Sequence, residues 1–115
     1  MQRRHRLRLK ADFEQLRQEG RRWNHPLVVL VVRNSRQTHS RFAFSASRRV
    51  GKAVARNRAR RLMREAVRLR IDEIQCGWDC LFIARQEVTQ SSFAEVASAV
   101  DQLLRRAGLL IQNGS

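Results

Sequence analysis

Between Arg48 and Arg70 the chain places ten basic side chains, nine of them Arg, and only one acid, Glu65. A guanidinium is a planar fork that grips phosphate oxygens two at a time and stacks on bases, so a dense run of Arg suits a polyanion. Arg56, Arg60, Arg64 and Arg68 are spaced by four, which lines them up on one side of a helix. Like charges at that spacing repel by a few tenths of a kcal/mol per pair, roughly, and a bound chain of phosphates would remove the cost. Just upstream, Ser45-Ala46-Ser47-Arg48-Arg49-Val50-Gly51-Lys52 crowds Arg48, Arg49 and Lys52 onto a turn before that helix, whose N-terminal N–H groups also suit phosphate. Gly51 serves either a close approach of backbone to a ligand or a tight turn; both readings stand.

Other chemistry is thin. The acids are scattered, and His5, His25 and His39 stand in basic or loop contexts without a carboxylate partner. Protein-borne phosphodiester hydrolysis would want a carboxylate cluster for two metals or a His acid–base pair, and neither is present. Cys76 and Cys80 are the only cysteines and are too few for a four-ligand zinc site. They read as free thiols in a reducing compartment, and their joint replacement by Ser is expected to leave folding nearly unchanged. The expectation is a chain with no catalytic residue, no metal site and no bound cofactor of its own.

Charge bounds the partner. With 24 Lys+Arg against 10 Asp+Glu, the 115 residues carry +14, and only Lys10 and Lys52 are Lys. Residues 1–70 hold 21 basic groups against four acids, whereas residues 71–115 hold three against six, so the attraction lies in the first part and the last part reads as scaffold. This balance argues for a nucleic acid and against an enzyme for acidic substrates, a collagen-like chain or a disulfide-stapled miniprotein. The longest aliphatic run, Leu27 to Val32, is far too short for a membrane span, and the basic start Met1–Lys10 leads into no apolar signal core. A cytoplasmic protein is expected, with no membrane partner.

The elements that must position these groups follow from periodicity. Residues 11–19 predict a short helix stopped by Gly20, and Arg22–Asn24 a short strand. Leu27–Arg33 predicts a strand with no polar alternation, hence covered on both faces. In the strand Arg41–Ser47, Phe42, Phe44 and Ala46 point toward a core and Ala43, Ser45 and Ser47 point away. A long helix covers about Ala53–Arg70, Asp79–Ala84 forms another strand, and Ser92-Phe93-Ala94-Glu95 is a capping box opening a last helix that ends near Arg106. The order is αβββαβα: a single α+β sandwich domain over residues 1–115, with a few frayed residues at each end. On the long helix Ala55, Ala59, Leu62, Met63, Ala66 and Leu69 share one sector, with Leu62, Met63 and Leu69 as anchors, while Arg56, Asn57, Arg60, Arg61, Arg64 and Arg68 share the adjoining one and Arg58 lies on the border.

The run from Ser45 to Glu65, centred on Arg56-Asn57-Arg58, resembles the signature of the bacterial ribonuclease P protein subunit. Arg6-Leu7 and Asp12-Phe13 before Gly20, then Asp79-Cys80-Leu81-Phe82-Ile83-Ala84-Arg85 and Ser92-Phe93, match the same pattern in order. The resemblance implies an accessory subunit of a ribonucleoprotein endonuclease that removes the 5′ leader of precursor tRNA, with catalysis and Mg²⁺ belonging to the RNA subunit. It implies binding of the catalytic RNA through Arg48, Arg49, Lys52, Arg56, Asn57, Arg58, Arg60, Arg61, Arg64 and Arg68. It implies a separate cleft for the single-stranded leader at Phe13, Arg17, Ser45 and Ser47, and a left-handed crossover through the basic helix, against the usual rule. Relatives often carry a second aromatic where this chain has Arg17, so a two-ring platform is not expected. The implied partners are ribonuclease P RNA and precursor tRNA, with no DNA and no obligate protein partner. Two rivals share the Arg face: a general RNA-binding protein without a leader cleft, and a basic-zipper helix, which would need heptads that the break at Asp72–Gly77 forbids.

Overall fold

The computed structural model describes residues 10–35 and 37–111. Seven elements follow in the expected αβββαβα order: α1 (Lys10–Glu19), β1 (Arg21–Asn24), β2 (Val28–Asn34), β3 (Arg41–Ala46), α2 (Ala53–Arg68), β4 (Trp78–Ala84) and α3 (Phe93–Arg106). Short 3₁₀ turns at Arg48–Val50, Ile71–Glu73 and Gln86–Gln90 join them. The basic start, with His5, Arg6 and Leu7, and the last four residues lie outside the described residues.

The strands form one sheet in the order β1-β2-β4-β3. β2 runs antiparallel to both β1 and β4, whereas β3 and β4 are parallel and joined by α2. From Val28 to Val32 every residue of β2 is buried, as its unbroken apolar run requires, because helices cover both sides. One face, carrying Val28, Leu30, Val32, Phe42, Phe82 and Ala84, packs under α2 and α3. The other, carrying Val29, Val31, Ala43 and Leu81, packs under Leu16 and Phe13 of α1. Gly20 lets α1 close onto this second face, since a Cβ there would come within 2.5 Å of Val31 Cγ1 and would strike the Leu16 carbonyl.

The capping box of α3 is formed as its sequence dictates: Ser92 Oγ accepts from Glu95 N and Glu95 Oε1 accepts from Ser92 N. Two expectations need correction. Leu69 is no anchor: α2 stops at Arg68, Leu69 becomes its C-cap and is 58% exposed, while Val67 is fully buried instead. The two thiols are also not equivalent, for Cys76 is exposed but Cys80 lies wholly within the core under α2 and α3, where a serine hydroxyl would lack solvent.

Candidate nucleic-acid interface

α2 buries Ala59, Met63, Ala66 and Val67 against the sheet and α3, and small residues in that stripe let the helix lie close. The remaining surface carries the guanidinium row. Arg61, Arg64 and Arg68 are exposed, and Arg56 and Arg60 are half-exposed. Asn57 Oδ1 accepts a hydrogen bond from Arg60, which sets that side chain along the helix. The Arg64 guanidinium lies 5.7 Å from the centre of the Phe44 ring, and Phe44 in turn stacks on Phe82, so the row is braced by the edge strand β3.

Acid pairing divides the row. At its end Arg68 bonds Glu65 through two nitrogens, which raises the pKa of Arg68 and lowers that of Glu65. Arg70 meets Glu73 and Asp101. Among the described residues no acid lies within ion-pair distance of Arg48, Arg49, Lys52, Arg56, Arg60, Arg61 or Arg64. Arg48, Arg49 and Lys52 are all exposed on the turn that leads into α2. There Ser47 Oγ accepts from Arg49 N and caps the turn, and Gly51 closes it at φ +142°, a conformation other residues rarely adopt. The turn alone therefore accounts for Gly51.

Arg58 differs from its neighbours. Its guanidinium donates to the protein's own backbone, to Ser91 O at 2.9 Å and toward Val88 O at 3.4 Å.

A second surface lies across the sheet. Arg17, Gly20, Arg22, Val31 and Ile83 line an open groove of about 330 Å³ between α1 and the strands. Phe13 is half-buried on the same apolar cluster, one turn before Arg17. Ser45 pairs in register with Ile83 on β4 and so extends this face at the edge strand, and Ser47 follows, exposed, beyond the end of β3. Sequence periodicity gives no sign of Arg22. Its signal is tertiary: the β1–β2 register sets it opposite Val31, beside the groove.

The far end of that face is closed by charge. Asp79, the one fully buried charged group among the described residues, accepts from Arg33 Nη2 at 2.7 Å and from Arg41 Nε and Nη2 at 2.9 Å. Arg33 also reaches Gln15 of α1. Burial, reinforced by the Asp79 charge, pushes the neighbouring Cys80 thiol well above its ordinary range and keeps it protonated. Among the described residues no three of His, Cys, Asp and Glu converge as metal ligands, and no helix is long and apolar enough to cross a membrane.

These features define a class: a small basic α+β domain with a guanidinium row on a helix on one side of its sheet and, on the other, an open groove lined by arginines and aliphatic side chains. The family model "Ribonuclease P" matches residues 1–108. Among curated relatives, the ribonuclease P protein component of Herpetosiphon aurantiacus is 42% identical over 109 residues, 95% of this chain and 89% of its own length. That of Chloroflexus aurantiacus is 44% identical over 111 residues, 96% and 82% of the two chains. Among solved structures, the Staphylococcus aureus RNase P protein superposes with a TM-score of 0.85 at 25% identity, covering 92% of this chain and 97% of that one. The Thermotoga maritima protein gives 0.80 at 30% identity, covering 88% and 96%. The chain belongs to the bacterial ribonuclease P protein family.

Proposed function

We propose that this chain is the protein subunit of ribonuclease P and divides its two surfaces between two RNAs. The polar side chains of α2 and its leading turn, Arg48, Arg49, Lys52, Arg56, Asn57, Arg60, Arg61, Arg64 and Arg68, bind the catalytic RNA. The groove under α1 receives the 5′ leader of precursor tRNA. The observation that carries the reading is the row of arginines on one helix, of which Arg56, Arg60, Arg61 and Arg64 have no acid partner among the described residues, in a chain of this family.

Physical chemistry gives each part a task. The row neutralises phosphates and releases their counterions, a gain that salt opposes. In the groove Arg17 and Arg22 offer charge to leader phosphates, while on the same face beside it Phe13 offers a ring for a leader base and Ser45 and Ser47 offer hydroxyls. Leader contacts strengthen binding of precursor tRNA over the mature product, which has lost the leader. Cleavage itself belongs to the RNA subunit and its Mg²⁺, and the protein holds the substrate in place. The β3–α2–β4 connection takes the left-handed sense that the family resemblance implies, and the protein works in the cytoplasm without membrane, DNA or an obligate protein partner.

Reconstitution tests the proposal. At low Mg²⁺ the chain should stimulate 5′ maturation of precursor tRNA by the catalytic RNA of the same genome, and the chain alone should cleave nothing. Cleavage by purified protein without RNA, or no stimulation at any protein concentration, would overturn it.

A further inference from the structure

α2 carries the interface, yet its beginning has few fastenings of its own. The N-cap residue, Lys52, makes no side-chain hydrogen bond and no acid stands in the first turn. Val54 is 82% exposed, and the first fully buried residue of the helix is Ala59. The first turn of the helix therefore has no side-chain cap and no buried residue of its own, and it depends on what holds it from either side: Val50, buried in the core just before the helix, and the contacts of Arg58 just after Arg56 and Asn57.

Arg58 adds a tie from within the helix. Its guanidinium donates to the carbonyl of Ser91, the C-cap of the 3₁₀ turn Gln86–Gln90 before α3, and reaches that of Val88 in the middle of the same turn. That platform is firm: Val88 is fully buried, Ser91 nearly so, Ser91 Oγ donates to Glu87 O, and the capping box of α3 follows at once. A charged donor on two backbone carbonyls is a strong arrangement, and a lysine ammonium lacks the planar fork to span both.

We propose that Arg58 is a positioning residue that pins the start of α2 to the turn before α3, so that Arg56, Asn57, Arg60 and Arg61 meet the catalytic RNA already ordered. It acts through the helix and not through a phosphate of its own. This inference rests on the proposed RNA-binding role of α2.

Charge-keeping and charge-removing variants separate this from direct contact. Affinity for the catalytic RNA is measured against salt for wild type, Arg58→Lys, Arg58→Gln and Arg60→Ala, with circular dichroism as a check on folding and amide hydrogen exchange over residues 53–61 and 86–91. Both Arg58 variants should weaken affinity about tenfold, because the charge-assisted bonds are gone. Their log K against log salt slopes should stay at the wild-type value, and exchange should quicken in both segments. If Arg58→Lys binds like wild type while Arg58→Gln flattens the slope by about 0.9, Arg58 is an ordinary phosphate ligand and the proposal is overturned. Unchanged affinity or unchanged exchange in both variants overturns it too. Should Arg58→Gln fail to fold, Arg58→Lys decides alone, since only the positioning role predicts that it binds more weakly. Arg60→Ala reports separately: a lowered slope upholds the α2 interface whatever Arg58 does, and an unchanged slope counts against that interface itself.

Discussion

Arg33 and Arg41 on one face of the sheet and Arg60, Arg61 and Arg64 on α2 are the same side chain in opposite circumstances. The first pair converges on Asp79, a carboxylate with no solvent exposure, and closes one end of the α1 face. The α2 set has no acid within reach among the described residues and lies open to solvent or nearly so. Guanidinium count alone therefore does not separate the arginines that brace the fold from those left open. What matters is whether the fold supplies a carboxylate, because an arginine spent on a buried acid keeps the protein together and one left without an acid is available to a phosphate.

The largest expected effect tests the first half of that contrast. Asp79→Ala should destabilise the fold by about 3 kcal/mol in urea denaturation, because removing one partner of a buried ion pair strands the others. Its salt dependence of binding to the catalytic RNA should match wild type. A steeper slope would mean that the released arginines join the RNA surface, and the division between the two sets would fail.

The next pair of variants sets the two surfaces against each other. The double variant Arg60→Ala with Arg64→Ala should flatten the salt dependence of catalytic-RNA binding by roughly 0.9 for each phosphate no longer neutralised, with stability nearly unchanged. Phe13→Ala should spare assembly with the catalytic RNA and weaken precursor tRNA binding by about 1–3 kcal/mol, the worth of one stacked base. Mature tRNA, lacking the leader, should bind that holoenzyme nearly as before. Equal weakening for precursor and mature tRNA in a folded Phe13→Ala protein would remove the groove from the leader and leave α2 untouched.

The thiols close the series, and the exposed one carries the smallest effect. Cys76→Ser, at an exposed site, should shift unfolding by less than about 0.5 kcal/mol. Cys80→Ser places a hydroxyl in the apolar core and should cost about 1–3 kcal/mol, while RNA binding by the folded protein stays the same. Equal behaviour of the two variants would contradict the burial of Cys80.

Much of this molecule is legible before folding because it is written in local periodicity. The unbroken apolar run of β2 announces cover on both faces, Ser92 and Glu95 announce the start of α3, and the spacing of Arg56, Arg60 and Arg64 announces a charged helix face. Each depends on neighbours within one or two turns, where backbone geometry alone decides what points where. The same logic misplaces Leu69, since periodicity does not say where a helix stops; here it stops at Arg68, two residues before the expected end.

What only the tertiary structure decided are the meetings between distant segments. β4 inserts between β2 and β3, and that register alone sets Arg33 and Arg41 on either side of Asp79 and Arg22 beside Val31. The sequence separations of 30 and 33 between Arg58 and its two carbonyl partners carry no local signal of that pairing, so a border arginine of α2 became a tie to the turn before α3. The composition of the chain points to a polyanion, and the spacing of its arginines points to the helix that carries the charge. Which arginines remained free to do so was decided by strand order and register, because a one-residue slip of β4 would turn Asp79 to the opposite face and leave Arg33 and Arg41 without it.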